Sequence, residues 1–461
     1  MMAEAKQPVF PLADGTVYSK RKNILPLSAS RSVDYAPIIG QEKLERLLNV
    51  ASRLKGLQLL EINATAQGGG VAEMLLRVIP FLNNLGIDAE WKVISGNTNY
   101  FECTKGIHNL LQGMEGNFTI EMEEIYLNNL ETCGNASLID YHPDVVTVHD
   151  PQPLCLTHYI KKPDEIWLWR CHIDIEEASL KNNGNLLDLI IDCVEHYDAA
   201  IFSTIHYVVS KWLMPKFIIP PFIDPLSDKN RELSQKEIGT VLNKYGIDSR
   251  VPIIVQIGRF DPWKGIDRTI ATYRKVKKER NCQLLIAGGT AADDPEGMRI
   301  LAKILEDTKD DENIHVLNLP PDSNIEINAL QRIANIIMQP STKEGFGLVI
   351  TEALWKSKPV IAGNAGGIPI QIRSGDNGYF YETPQKTARQ VISLLDNPDV
   401  ALAMGNRGKE YVREHFLMPD RITDYLLAIE LLMTGALDRK SCGECIISYH
   451  PWFKLSKRKQ H

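Results

Sequence analysis

The feature that most constrains this chain is an alternation, sustained through two successive halves, between short apolar runs and longer amphipathic stretches. The runs fall at residues 57–63, 89–95, 145–149, 166–171, 199–203 and 216–220, then at 252–257, 283–287, 315–319, 336–339 and 359–362. Runs of this length, closed by Gly, Pro or polar residues and separated by helix-length segments, predict βαβ units. Their near-continuous apolarity predicts parallel strands covered by helices on both faces. The fold class is therefore α/β, and 461 residues accommodate two such domains.

The break between the halves is IIPPFIDPLSDKN, residues 218–230, where Pro220, Pro221 and Pro225 remove amide donors and interrupt regular structure. This predicts a first domain over 1–217, a linker over 218–230 and a second domain over 231–415. Residues 399–436 read as two terminal helices, the last over 416–436, and 437–461 form a basic-ended appendage without an assigned role.

Charge narrows the partners. Lys plus Arg number 51 and Asp plus Glu 58, a net charge of −7, so no global field attracts nucleic acid or an anionic membrane, and an anionic ligand must find a local basic site. No apolar run reaches the roughly 20 residues needed to span a bilayer. The opening MMAEAKQPVFPLADG lacks the basic and apolar regions of a secretion signal, so a cytoplasmic location is expected. The eight scattered cysteines are expected to be reduced and packed. Cys442, Cys445 and His450 offer three ligands in C-x2-C-x4-H order, one short of a structural zinc site. Asp293 and Asp294, followed by Pro295, read as loop structure.

Four segments carry candidate chemistry. LLEINATAQGGGVAEMLL passes from a strand through Gly68, Gly69 and Gly70 into a helix, which serves either a tight turn or backbone amides approaching an anion at a helix N-terminus. VTVHDPQP and WLWRCHID place His149, Asp150 and Gln152, and Arg170, His172 and Asp174, at strand ends. Such ends border the ligand crevice of open α/β sheets. There the histidines serve structure or function, and the aspartates cap helices or accept sugar hydroxyls. In GRFDPWKG, Arg259 and Lys264 are close enough to hold a diphosphate together, with solvated surface charge as the competing account. In PSTKEGFGLVITEALWKSKPVIAG, Glu344 sits in a loop with Gly345, Phe346 and Gly347, and Glu352 follows eight residues later on a helix. The first carboxylate can reach sugar hydroxyls and the second a ribose. Gly366 and Gly367 could bring further amides to a ligand.

Glu344 and Glu352, with Arg259 and Lys264, make the sequence resemble the retaining nucleotide-sugar glycosyltransferases of family 4. Within that family it is most similar to the trehalose glycosyltransferring synthases, through GGGVAE, VHDPQP, WRCHID, PPFIDPLSDKN, RFDPWKG, DDPEG and KEGFGLVITEALWKSKPV over roughly residues 35–435. The resemblance implies the GT-B fold, two Rossmann-like domains facing across a cleft, with the last helix crossing back to the first domain. It implies retaining transfer of glucose from a nucleoside diphosphate glucose (ADP-, UDP- or GDP-glucose) to free glucose, giving α,α-trehalose. His172 would meet the donor sugar, Arg259 and Lys264 the diphosphate, Glu344 the transferred sugar and Glu352 the ribose, with Gly68–Gly70 on the acceptor side. Many members carry an acidic residue where Ile370 stands here.

Other acceptors, giving sucrose-like, glycogen-like or lipid-linked products, and a non-catalytic nucleotide-sugar sensor are the competing functions. The scheme needs no tightly held metal and admits Mg²⁺ bound with the nucleotide. The expected partners are the two sugar substrates, with a homodimer also admitted.

Overall fold

The computed structural model describes residues 18–19, 31–66, 69–137, 142–175, 183–209, 212–289, 295–437 and 445–448. The described residues form two compact units: one from those in Glu45–Ile219, up to Ser32 and from Thr423 onward, the other from those in Val33–Leu44 and Pro220–Ile422. The short stretch Val33–Leu44 thus groups with the second unit although segments of the first flank it in sequence.

In the first unit the strands are β1 (Tyr18–Ser19), β2 (Gln58–Asn63), β3 (Asp88–Val93), β4 (Val145–His149), β5 (Ile166–Cys171), β6 (Ala199–Phe202), β7 (Lys216–Ile218) and β14 (Ile446–Ser448), in the spatial order β1-β3-β2-β4-β5-β6-β7-β14. From β3 to β14 every pairing is parallel, and only β1 runs antiparallel, against β3. The strand order reverses at β2 and β4, so the loops leaving those two strands open onto the sheet's switch point. Every residue of β4 is buried, as are all but the first of β5, which is what a parallel sheet covered on both faces requires. The helix Gly70–Asn84 turns Ala72, Leu75, Ile79 and Leu82 inward at helical spacing.

The second unit is a six-stranded parallel sheet of β8 (Ile253–Ile257), β9 (Gln283–Gly288), β10 (Ile314–Asn318), β11 (Ile336–Gln339), β12 (Val360–Ala362) and β13 (Gly378–Phe380), ordered β10-β9-β8-β11-β12-β13. This is the dinucleotide-fold order, with its switch point at β8 and β11. Ser234 opens the first helix here, Gln235–Tyr245, with a capping box closed by Glu237, and Gly246 ends it in a left-handed conformation. The two terminal helices are Pro398–His415 and Met418–Met433. The latter starts in the second unit, and its residues from Thr423 onward belong to the first.

Two sequence expectations are revised. Cys155 and Cys193, expected as reduced thiols, form a disulfide with Cα atoms 4.9 Å apart. Their 38-residue separation hid that the turn at Leu154–Leu156 packs on the helix Gly184–Val194. Cys103, Cys133, Cys171 and Cys282 are free and buried, whereas Cys445 is also disulfide-bonded. The appendage, in turn, contributes β14 to the edge of the first sheet, where the Lys216 amide donates to the Cys445 carbonyl at 2.8 Å. Cys442 and His450, like Asp293 and Asp294, lie outside the described residues. Among the described residues no three His, Cys, Asp or Glu side chains gather to hold a metal, and no helix is long and apolar enough to cross a membrane.

Candidate active site

In the first unit the ends of β2, β4 and β5 converge on one buried polar network. Parallel register sets Glu61 beside Thr147 and His149 beside Arg170, and alternation along β4 puts Thr147 and His149 on the same face. His149 Nε2 stands 2.6 Å from Glu61 Oε2, and His149 Nδ1 stands 2.9 Å from His172 Nε2. The other Glu61 oxygen accepts from the Tyr425 hydroxyl at 2.9 Å, and that hydroxyl lies 2.5 Å from Thr147 Oγ1. Tyr425 comes from the terminal helix, and the Arg170 guanidinium lies 5.9 Å from its ring centre. Burial, reinforced by Arg170 and His149, pushes the His172 imidazole well below its ordinary range, so it is neutral at neutral pH.

Asp150 follows β4 with φ of 63°, a left-handed backbone that Asp adopts more readily than most residues. Its amide donates to the Arg170 carbonyl, its carbonyl accepts from Trp169 Nε1, and its carboxylate accepts the His172 amide at 2.9 Å. Burial raises its carboxyl to about 6 against these contacts. Asp150 thus locks the backbone at His172. Asp174 is half-buried beyond that residue, and the bonds that orient His172 come from His149 and Asp150 instead. The Gln152 carbonyl accepts from the Tyr100 hydroxyl at 2.7 Å. Gly69 caps the helix that Gly70 begins, with φ of 135° that a side chain would strain, while Gly68 is outside the described residues.

In the second unit the loops after β8 and β11 meet, as the switch point demands. Lys264 Nζ donates to both oxygens of Glu344 at 2.8 Å. Ser341 Oγ adds a bond to Glu344 Oε2 at 3.1 Å, and the Lys264 carbonyl is held by Gln256. Gly265 makes the approach feasible: its φ is 64°, and an added Cβ would stand 2.3 Å from the Pro340 carbonyl oxygen. Arg259 is different, with a largely exposed side chain 3.8 Å from Asp261.

The Gly345–Gly347 loop is tied by the Gly367 amide to the Gly345 carbonyl and by Gln371 Nε2 to the Phe346 carbonyl. Phe346 itself is buried against Phe416, and Gly347 caps the helix Leu348–Trp355. Glu352, on that helix, is buried. Gln331 Nε2 donates to it at 3.2 Å, and Lys229 Nζ lies 3.8 Å away. One turn on, burial lowers the Lys356 amine to about 7 while the Glu352 charge opposes the fall. Tyr411 donates to the carbonyl of Ile370.

The structure therefore gathers Asp150, Arg170 and His172 in the first unit, and Lys264, Glu344 and the Gly345–Gly347 loop in the second. It adds Glu61 and Tyr425, which the sequence reading did not single out. The signal for Glu61 was a carboxylate inside the apolar run LLEIN. Tyr425 had none, since its partners are 364 and 278 residues away.

Residues 238–411 match the family described as glycosyl transferases group 1. A UDP-forming α,α-trehalose-phosphate synthase from Burkholderia xenovorans, solved with glucose-6-phosphate, superposes with a TM-score of 0.65 at 12% identity. That match covers 81% of this chain and all of that one. Fold and site thus define a GT-B glycosyltransferase. Residues 61–209 match the model of the trehalose synthase N-terminal domain. Trehalose synthase of Pyrococcus horikoshii is 43% identical over 399 residues, 85% of this chain and 94% of that protein. A trehalose phosphorylase of Grifola frondosa is 30% identical, across 83% of this chain but 58% of its own length. The chain belongs to the trehalose synthase family.

Proposed function

We propose that this enzyme transfers glucose, with retention, from a nucleoside diphosphate glucose to free glucose, forming α,α-trehalose. The observation that carries the reading is the match of residues 61–209 to the trehalose synthase N-terminal domain, because that segment holds Glu61, His149, Asp150, Arg170 and His172. Generic donor-binding motifs of the second unit say nothing of the acceptor.

In this scheme the anomeric carbon–oxygen bond breaks with its electron pair leaving on the diphosphate, and Lys264 and Arg259 stabilise the charge that develops there. The acceptor hydroxyl attacks the same face, its oxygen bonds the anomeric carbon, and its proton passes to the departing phosphate oxygen. Glu344, held against Lys264, contacts the transferred sugar, and Glu352 binds the ribose. His172 takes a hydrogen bond from a sugar hydroxyl.

The test incubates purified enzyme with ADP-, UDP- or GDP-glucose and glucose, and identifies the disaccharide and its linkage by NMR. α,α-Trehalose with stoichiometric nucleoside diphosphate is the expected outcome. Transfer to glucose-6-phosphate, a polymer or a lipid but not to free glucose overturns it. Phosphate-dependent cleavage of trehalose without use of any nucleotide sugar points instead to the phosphorylase chemistry named for the Grifola frondosa relative.

A further inference from the structure

We propose that Glu61 and His149 are positioning residues that set the tautomer of His172 and leave its Nδ1 as a bare hydrogen-bond acceptor for a substrate hydroxyl. The inference rests on the proposed sugar transfer only in naming that hydroxyl, since the tautomer itself follows from the contacts.

Glu61 is buried, and both its oxygens are engaged, one by His149 and the other by Tyr425. A carboxylate only accepts, so His149 Nε2 must carry a proton. In a neutral imidazole the other nitrogen is then an acceptor, so across the 2.9 Å contact His172 Nε2 must donate to His149 Nδ1. His172 therefore has no proton left for Nδ1, which makes no hydrogen bond to another described residue.

A second proton on His149 would reverse the relay, forcing Nδ1 of His172 to become a donor. Charges of both signs face the network: the Glu61 carboxylate at His149, and the buried Arg170 guanidinium, which interacts with Glu61, Tyr425 and Asp150. With His149 neutral the relay runs outward to His172, and the protonation of the His172 nitrogens tells the two states apart. The frame is rigid as well. Tyr425, itself bonded to Thr147, fixes the Glu61 carboxylate, and the Asp150 carboxylate holds the His172 backbone.

The experiment is side-chain nitrogen-15 NMR of histidine-labelled enzyme, with His172→Gln assigning the relevant signals. Wild type is expected to show an unprotonated Nδ1 and a protonated Nε2 at His172. In Glu61→Gln the carboxamide can turn its amino group to His149 Nε2, which exchanges the tautomer of both rings. There the His172 assignments should exchange and kcat should fall about 10²-fold, with nucleoside diphosphate affinity by calorimetry unchanged. A wild-type His172 protonated on Nδ1 overturns the proposal, as does a folded Glu61→Gln that retains both tautomer and kcat. Should Glu61→Gln fail to fold, the wild-type spectrum still decides. Failure of wild type to transfer glucose to glucose would reject the proposed reaction while leaving the tautomer measurement to stand or fall alone.

Discussion

Lys264 and Glu344, which the family resemblance assigns to different parts of the donor, are bonded to each other through both carboxylate oxygens at 2.8 Å. Both side chains are largely buried, so the pair is screened far less than a surface salt bridge. In the proposed reaction an arriving diphosphate would meet a cation already aimed by its neighbour, with little reorganisation as leaving-group charge develops.

Removing one partner of this pair should therefore do two separable things. Lys264→Ala is expected to lower kcat by about 10²-fold or more and to lower Tm, because Glu344 is left as an uncompensated, mostly buried charge. Adding Glu344→Gln should recover the Tm without recovering turnover. Arg259→Ala, whose side chain is exposed, should lower kcat/KM at unchanged Tm. Steady-state kinetics with thermal melts checks all three, and near-normal turnover by folded Lys264→Ala and Arg259→Ala rejects the diphosphate assignment.

Glu352 makes a different prediction. It accepts from Gln331 and lies near Lys229 with little exposed surface, so it suits ground-state binding rather than bond exchange. Glu352→Gln is expected to weaken nucleoside diphosphate binding about tenfold, in keeping with loss of one charge-assisted hydrogen bond. Unchanged affinity by calorimetry moves the residue to a purely structural role beside Lys356.

The contrast between these residues and the first unit shows what a linear reading can reach. Val145–His149, Ile166–Cys171 and Ile336–Gln339 were legible to the residue because buried parallel strands are compact apolar runs with polar punctuation. Strand β13 carries only Gly378–Phe380, and β14 sits in a polar tail, so neither has enough apolar length to register. At the site, Lys264 and Glu344 announced themselves through neighbouring glycines. Glu61 and Tyr425 did not, because their pairing depends on sheet register and on the terminal helix packing into the first unit. Cys155 and Cys193 were misread because their pairing depends on the Leu154–Leu156 turn packing on the helix Gly184–Val194.

Gly265→Ala tests whether the loop geometry brings Lys264 to Glu344. The methyl group would meet the Pro340 carbonyl oxygen at 2.3 Å, in a backbone conformation with φ of 64° that alanine rarely adopts. Backbone must therefore move. A stability loss of at least about 1–3 kcal/mol is expected, together with reduced kcat even though no charged group is removed. Chemical denaturation and kinetics check it, and a variant equal to wild type in both would show that the close approach is dispensable.

The sign of a pH effect at Asp150 can be worked out in advance. Its carboxyl is raised by burial from the ordinary 3.8 to about 6, so between those values the native state holds a proton that the unfolded chain has released. Its contribution to stability is therefore full below the unfolded value and is lost as pH rises through about 6. Asparagine keeps the shape, tolerates the left-handed backbone and still accepts the His172 amide, but carries no charge to bury. Asp150→Asn should accordingly melt close to wild type near about pH 3 and progressively above it toward about pH 7.5, by at most about 3 kcal/mol. Comparing the two proteins cancels the other titrating groups. A difference in Tm that stays constant across that range, or that grows in favour of wild type, would remove burial as the cause of the raised carboxyl.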